Sequence, residues 1–145
     1  MSGSDRPVVE SIADPEVVRF LEDRINAFNE DATGIRDGLD VQAVIRDDDG
    51  RIVAGIYGWT WGRTCEVDSL WVADGHRGRG LGTSLLTAVE REAARRGCTQ
   101  IVLDTHSFQA PEFYRRLGYE TVGVLPGYPH GYDHVTLRKD LPGSR

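Results

Sequence analysis

The densest chemical signal in the chain is the run Arg77-Gly78-Arg79-Gly80-Leu81-Gly82, followed by Thr83 and Ser84. Alternating glycines let a backbone turn tightly and approach a ligand closely. Amides at a helix start have no acceptor within the helix, and the helix dipole adds partial positive charge there. A turn of this composition opening a helix is suited to a pyrophosphate, and Arg77 and Arg79 add formal charge. A dinucleotide fingerprint would read GxGxxG after a first strand, with an acidic residue about 20 positions on. Here RxxGxG sits mid-chain. An ATP-type P-loop would need a lysine before Thr83 and Ser84, and there is none. The bland alternative is a glycine-rich turn that only starts a helix.

Further candidates for proton chemistry are Glu66, Asp68, Asp104 and His106. Glu66 and Asp68 flank Val67 on a predicted strand and so share a face. Asp104 ends another predicted strand. His106 carries the side chain whose ordinary pKa, about 6.5, suits a general base best. A third cluster, Tyr128-Pro129-His130-Gly131-Tyr132-Asp133-His134, gathers aromatic, imidazole and acidic groups on one loop, where Asp133 could pair with an ammonium. No metal site is expected there, since the two histidines lack a helical spacing. Tyr57, Trp59 and Trp61 alternate with Gly58 and Thr60, which makes one sheet face aromatic.

These groups must be positioned by an α/β frame. Val8–Ile12 reads as a short first strand. Asp14-Pro15 then opens an amphipathic helix over 15–30, with Val17, Val18, Leu21, Ile25 and Phe28 at helical spacing. Residues 31–38 read as loop. Val41, Ala43 and Ile45 alternate as a strand, Asp47 to Gly50 form a hairpin turn, and Arg51–Thr60 is the return strand. Arg63–Val72 is the next strand. Gly80–Arg96 is a helix with Leu81, Leu85, Leu86, Val89 and Ala93 on one face, ended by Gly97. Thr99–Asp104 is a short strand, Pro111–Leu117 a short helix, and Tyr119–Leu125 and Tyr132–Lys139 are the last strands. Strand–helix–strand over 64–104 requires a right-handed crossover and makes those two strands parallel. The hairpins are antiparallel. The result is a mixed, mostly antiparallel central sheet with flanking helices. The termini, MSGSD and PGSR, read as short frayed ends.

At 145 residues with 39% hydrophobic and 28% charged content, the chain fits one soluble domain, 1–145. No apolar run approaches the roughly 20 residues of a membrane span, and the start lacks a signal peptide, so a cytoplasmic protein is expected. The formal charge of −6 argues against nucleic acid as a partner and suits a cationic substrate or plain solubility. Cys65 and Cys98 lie in apolar segments outside any CxxC pair and read as buried thiols.

The segment Val67-Asp68-Ser69-Leu70-Trp71-Val72, a short loop and then Arg77 to Gly82 resemble the central [Q/R]xxGx[G/A] motif of the GCN5-related N-acetyltransferases (GNAT). Downstream, Gln109-Ala110-Pro111-Glu112-Phe113-Tyr114-Arg115-Arg116-Leu117-Gly118-Tyr119 is similar to the family's N-x-x-A-x-x-F-Y-x-x-x-G-F segment. The two motifs are in the right order and together cover about 64–120. The resemblance implies the GNAT (acyl-CoA N-acyltransferase) fold and acetyl-CoA as co-substrate. It implies that Leu70, Trp71 and Val72 offer backbone groups to the acetyl–pantetheine arm. Arg77, Gly78, Arg79, Gly80, Leu81, Gly82, Thr83 and Ser84 would then hold the pyrophosphate. The cofactor would lie where the strands ending near Val72 and Asp104 splay apart. Gln109 or Ser107 stands in for the family's asparagine before the second helix.

By the same resemblance Tyr114 is the proton donor to the leaving thiolate and a cofactor contact, and an N–H near Val72 is the oxyanion donor. Glu66 and Asp104 are the leading base candidates, with water as an alternative. The expected reaction is acetyl transfer from acetyl-CoA to a primary amine of a small molecule. The alternatives are an acyl-CoA-binding module without turnover, and acetylation of a protein or peptide amine. No metal and no membrane are expected as partners, and a homodimer is possible.

Overall fold

The computed structural model describes residues 5–142. Of the ends expected to fray, residues 1–4 and 143–145 lie outside that range. The chain falls into two compact units, Met1–Arg36 and Asp37–Arg145.

The first unit carries helix α1, Pro15–Thr33. Asp14 caps it, its carboxylate accepting the Glu16 amide at 2.9 Å, and Pro15 occupies the first turn, where its missing N–H costs nothing. Gly34, at φ 73°, ends it in the left-handed region. The strand expected at Val8–Ile12 does not form. Val8, Val9 and Ile12 are exposed by 82% or more on irregular chain. Five residues with three β-branched side chains form a strand only where a ladder partner exists, and Pro7 removes a donor at their start. Among the described residues α1 therefore precedes every strand, and the sheet has six strands.

In the second unit those strands are β1 Leu39–Arg46, β2 Ile52–Trp61, β3 Thr64–Val72, β4 Gln100–His106, β5 Glu120–Pro126 and β6 Asp133–Asp140. Their order is β1-β2-β3-β4-β6-β5. Only β3 and β4 are parallel. Helix α2, Leu81–Arg95, makes the crossover between them, and α3, Pro111–Arg116, links β4 to β5. The face of α2 carrying Leu85, Leu86, Val89 and Ala93 is buried against Ile56, Cys65, Val67, Ile101 and Leu103. Each fully buried aliphatic side chain of this set contributes about 1.5–3 kcal/mol. The far end of α2 is fixed by Arg96, which donates to the carbonyls of Leu39 and Asp40 and to the Thr60 hydroxyl. Both thiols are buried, and burial pushes Cys65 up to about 12, so it stays protonated and inert.

The β3–β4 ladder begins at Thr64↔Gln100 and stops at Val67↔Leu103. Beyond it β3 stays paired to β2 as far as Val72↔Ala54, and β4 stays paired to β6 as far as His106↔His134. The sheet therefore divides into two halves, each still bonded to its outer neighbour. A bulge sits where the division begins. Tyr57 pairs with Ser69 and Gly58 with Val67, so Asp68 is the extra residue.

Candidate active site

Three elements converge on the opened end of the sheet: the β3–α2 turn, the free edges of β3 and β4, and the α3 segment. A 3-10 turn, Asp74–His76, leads from β3 to Arg77. Gly78 (φ 77°) and Gly80 (φ 76°) adopt left-handed conformations that favour glycine. The first intrahelical bond of α2 runs from the Ser84 amide to the Gly80 carbonyl, and no side chain caps the helix start. The amides of Leu81, Gly82 and Thr83 are thus left for an outside acceptor. A Cβ built on Gly78 or Gly80 would meet no atom within 4 Å, so the turn is open on that side. Gly82 differs. A Cβ there would lie 3.2 Å from Phe113 Cζ, so this glycine lets the α3 ring pack on the start of α2.

Arg77 folds back over the end of β3. Its Nε donates to the Val72 carbonyl at 3.2 Å, and Nη1 lies 3.0 Å from Asp74 Oδ1. Arg79 Nη1 is 2.8 Å from His76 Nδ1. Thr83 is half-buried and Ser84 exposed. An anion at this turn would meet three free amides with two guanidinium groups nearby.

The β3 edge supplies backbone groups by alternation. Ala73 donates its N–H to Val53 on β2, so Val72 and Leu70 present theirs to the opposite side, towards the gap. Trp71 directs its backbone to β2, and the residue is exposed. Gln109 holds the β4 edge. Its Oε1 accepts from the His106 amide at 2.7 Å and from the Thr105 hydroxyl at 3.2 Å. Ser107 instead binds the Asp133 backbone.

Tyr114 and Tyr119 illustrate how position separates two like side chains. Tyr119 donates its hydroxyl to Glu90 at 2.7 Å, so that proton is engaged. The Tyr114 ring is buried against Phe113 and Tyr119, at centroid distances of 5.0 and 5.8 Å. Its hydroxyl has no protein partner among the described residues, where no side-chain oxygen shut off from solvent lacks one. The phenol thus has an apolar body and a free tip at the surface. Burial pushes its pKa up, which keeps it a proton donor at neutral pH.

The acidic residues gather on the sheet face opposite α2. Burial pushes the Glu66 carboxyl up, and the like charges of Asp104 and Asp68 add to the effect. Asp104 Oδ1 accepts from the Thr136 hydroxyl at 2.6 Å, and Oδ2 lies 3.9 Å from His134 Nε2. His106 Nδ1 is 3.0 Å from the Tyr128 carbonyl and donates to it. The rings of His106, Phe108, Tyr128 and His134 form one cluster with neighbours 5.3 Å apart, extended by Tyr132 at 5.1 Å from Phe108. The sequence places Tyr128 on a loop that could line an acceptor pocket and His134 near the start of the last strand, without a partner for either. Their partner becomes visible once the β4–β6 register sets Asp104 beside Thr136 and His106 beside His134.

The family model for the Acetyltransferase (GNAT) family matches residues 8–119. An acetyltransferase of Agrobacterium fabrum is 32% identical over 132 residues, covering 91% of this chain and 96% of the relative. The blasticidin-S acetyltransferase of Streptomyces morookaense is 40% identical over 96 residues, covering 63% of this chain and 68% of the relative. The crystal structure of an acetyltransferase from Bacillus cereus superposes with a TM-score of 0.78 at 28% identity, covering 92% of this chain and 98% of that one. The chain belongs to the GNAT family of acetyltransferases and has its fold. It is an enzyme of the N-acetyltransferase type.

Proposed function

We propose that the chain transfers the acetyl group of acetyl-CoA to a primary amine of a small molecule. The observation that carries this reading is the end of the β3–β4 ladder at Val67↔Leu103, beside the open start of α2. The free amides of Leu81, Gly82 and Thr83, with Arg77, Arg79 and Ser84 around them, fit the pyrophosphate. Leu70 and Val72 offer strand-edge groups to the pantetheine arm in the gap, with Trp71 between them and Gln109 across from them. The bound group brings the acetyl thioester.

The remaining chemistry belongs to the protein. The Val72 N–H faces the carbonyl oxygen as it takes up negative charge. Tyr114 protonates the departing sulfur, and its buried ring keeps the hydroxyl neutral until then. Glu66 and Asp104 form a carboxylate edge that draws in the ammonium and takes part in its deprotonation. Similarity to a blasticidin-S and a streptothricin acetyltransferase supports a small-molecule acceptor. The family match crosses both compact units and supports 1–145 as one N-acetyltransferase domain, which we place in the cytoplasm.

The test is a transfer screen that follows thiol release from acetyl-CoA across polyamines, nucleoside antibiotics, aminoglycosides, amino acids and peptides. The reading expects turnover with at least one small amine. Binding of acetyl-CoA with turnover only on peptides would replace the acceptor assignment.

A further inference from the structure

The β4–β6 register brings an imidazole that the proposed chemistry has not used beside Asp104, the carboxylate on the β4 edge of the gap. Asp104 is the first β4 residue past the parallel ladder, and each of its oxygens faces a β6 side chain. Thr136 donates to Oδ1 at 2.6 Å, which fixes the carboxylate plane. Oδ2 then faces His134 Nε2 at 3.9 Å. This is ion-pair range, and it is longer than a hydrogen bond. Such pairs commonly tighten when substrate arrives. The ring of His134 stacks on Tyr128 with an interplanar angle of 19°, and His106 packs edge-on against it. Among the described residues, the titratable groups against this ring are therefore Asp104, His106 and Tyr128. An Nε2–H turned to Asp104 leaves Nδ1 as the basic nitrogen.

Resting on the acetyltransferase reading above, we propose that His134 is the group that takes the acceptor's proton, with Asp104 orienting its ring and balancing the imidazolium. The ammonium gives one proton to Nδ1 of His134 and becomes a neutral amine. Its nitrogen forms the bond to the acetyl carbon as the carbon–sulfur bond breaks. Tyr114 gives its proton to the sulfur, and the second nitrogen proton replaces it. His134 returns its proton to solvent. The sum is one amide, one thiol and one released proton. Glu66 then serves to attract the cation, and its like charge beside Asp104 favours a positive partner on that side.

The experiment compares kcat/KM against pH for wild type, H134Q, H134A and E66Q, using the best amine from the screen. Circular dichroism checks folding, and calorimetry gives the acetyl-CoA affinity. Wild type should show a rising limb as the base loses its proton. H134Q should lose that limb and at least tenfold in kcat/KM, with acetyl-CoA affinity within twofold. Added imidazole should restore part of the H134A rate at constant KM for acetyl-CoA. E66Q should raise KM for the amine and keep the limb. A limb retained in H134Q but lost in E66Q overturns the assignment, as does an H134A rate indifferent to imidazole. A wild type silent on every small amine removes the proposed acceptor reading, and the role of His134 with it.

Discussion

Gly58 on β2 and Glu66 on β3 approach so closely that a Cβ on Gly58 would stand 2.1 Å from the Glu66 carbonyl oxygen. That contact lies beside the bulge at Asp68, where the parallel ladder ends and the sheet begins to open. The glycine that permits the bulge therefore also helps shape the gap.

Gly58→Ala should accordingly damage both stability and function. The neighbour is backbone and cannot swing aside, so a cost on the order of 3 kcal/mol is expected. That corresponds to a fall in Tm of roughly 10 °C. Thermal melts measure the first effect, and acetyl-CoA titration of the folded fraction measures the second. An unchanged Tm would show that β2 and β3 can separate there without penalty.

Gly80 and Gly82 separate two uses of glycine at one turn. Gly80→Val places a branched side chain at φ 76° on the open side, where an anion would sit. Acetyl-CoA affinity should fall at least tenfold. Gly82→Ala meets Phe113 instead, so it should lower Tm by pushing α3 from α2 before it weakens binding. Calorimetry and melting on both variants read the contrast.

Tyr114→Phe keeps the buried ring and removes only the free hydroxyl tip. The expected result is a loss of kcat of roughly 100-fold or more, within the usual range for one proton-transfer group. Acetyl-CoA affinity should stay within twofold. Wild-type turnover in this variant would strip the tyrosine of its role. Tyr119→Phe, which breaks the bond to Glu90, should act on stability instead.

Glu66 makes a pH prediction of definite sign. Its folded pKa lies above the ordinary value of 4.5, so the native state binds this proton more tightly than the unfolded chain does. The stabilisation is complete below 4.5 and is lost as pH rises through the folded value. Glu66→Gln removes the like charge beside Asp104 and Asp68. The variant should therefore melt higher than wild type at pH 7, and the difference should shrink towards pH 4. Melting curves across that range test it, and an opposite slope would mean that the carboxylate is held by a favourable partner.

The frame was legible where periodicity was long or turn chemistry explicit. The α2 face from Leu85 to Ala93, the Asp47–Gly50 hairpin and the parallel β3–β4 pair could all be read from residue types and spacing. Val8–Ile12 misled because its three β-branched residues state a preference that only a partner strand can satisfy. In the candidate site, the glycine turn at 77–82 was visible because glycine and arginine are local signals. His134 was not, because its relation to Asp104 depends on which residues β4 and β6 bring opposite one another. That register is a tertiary fact. The role of Gly82 against Phe113 was hidden for the same reason.

The central claim is that the start of α2 grips the diphosphate of acetyl-CoA through backbone amides. Backbone amide NMR of the whole chain during an acetyl-CoA titration tests it most directly. The account predicts the largest shifts at the Leu81, Gly82 and Thr83 N–H groups, followed by Leu70 and Val72. Saturable binding that leaves those amides unmoved and shifts another part of the chain would contradict it.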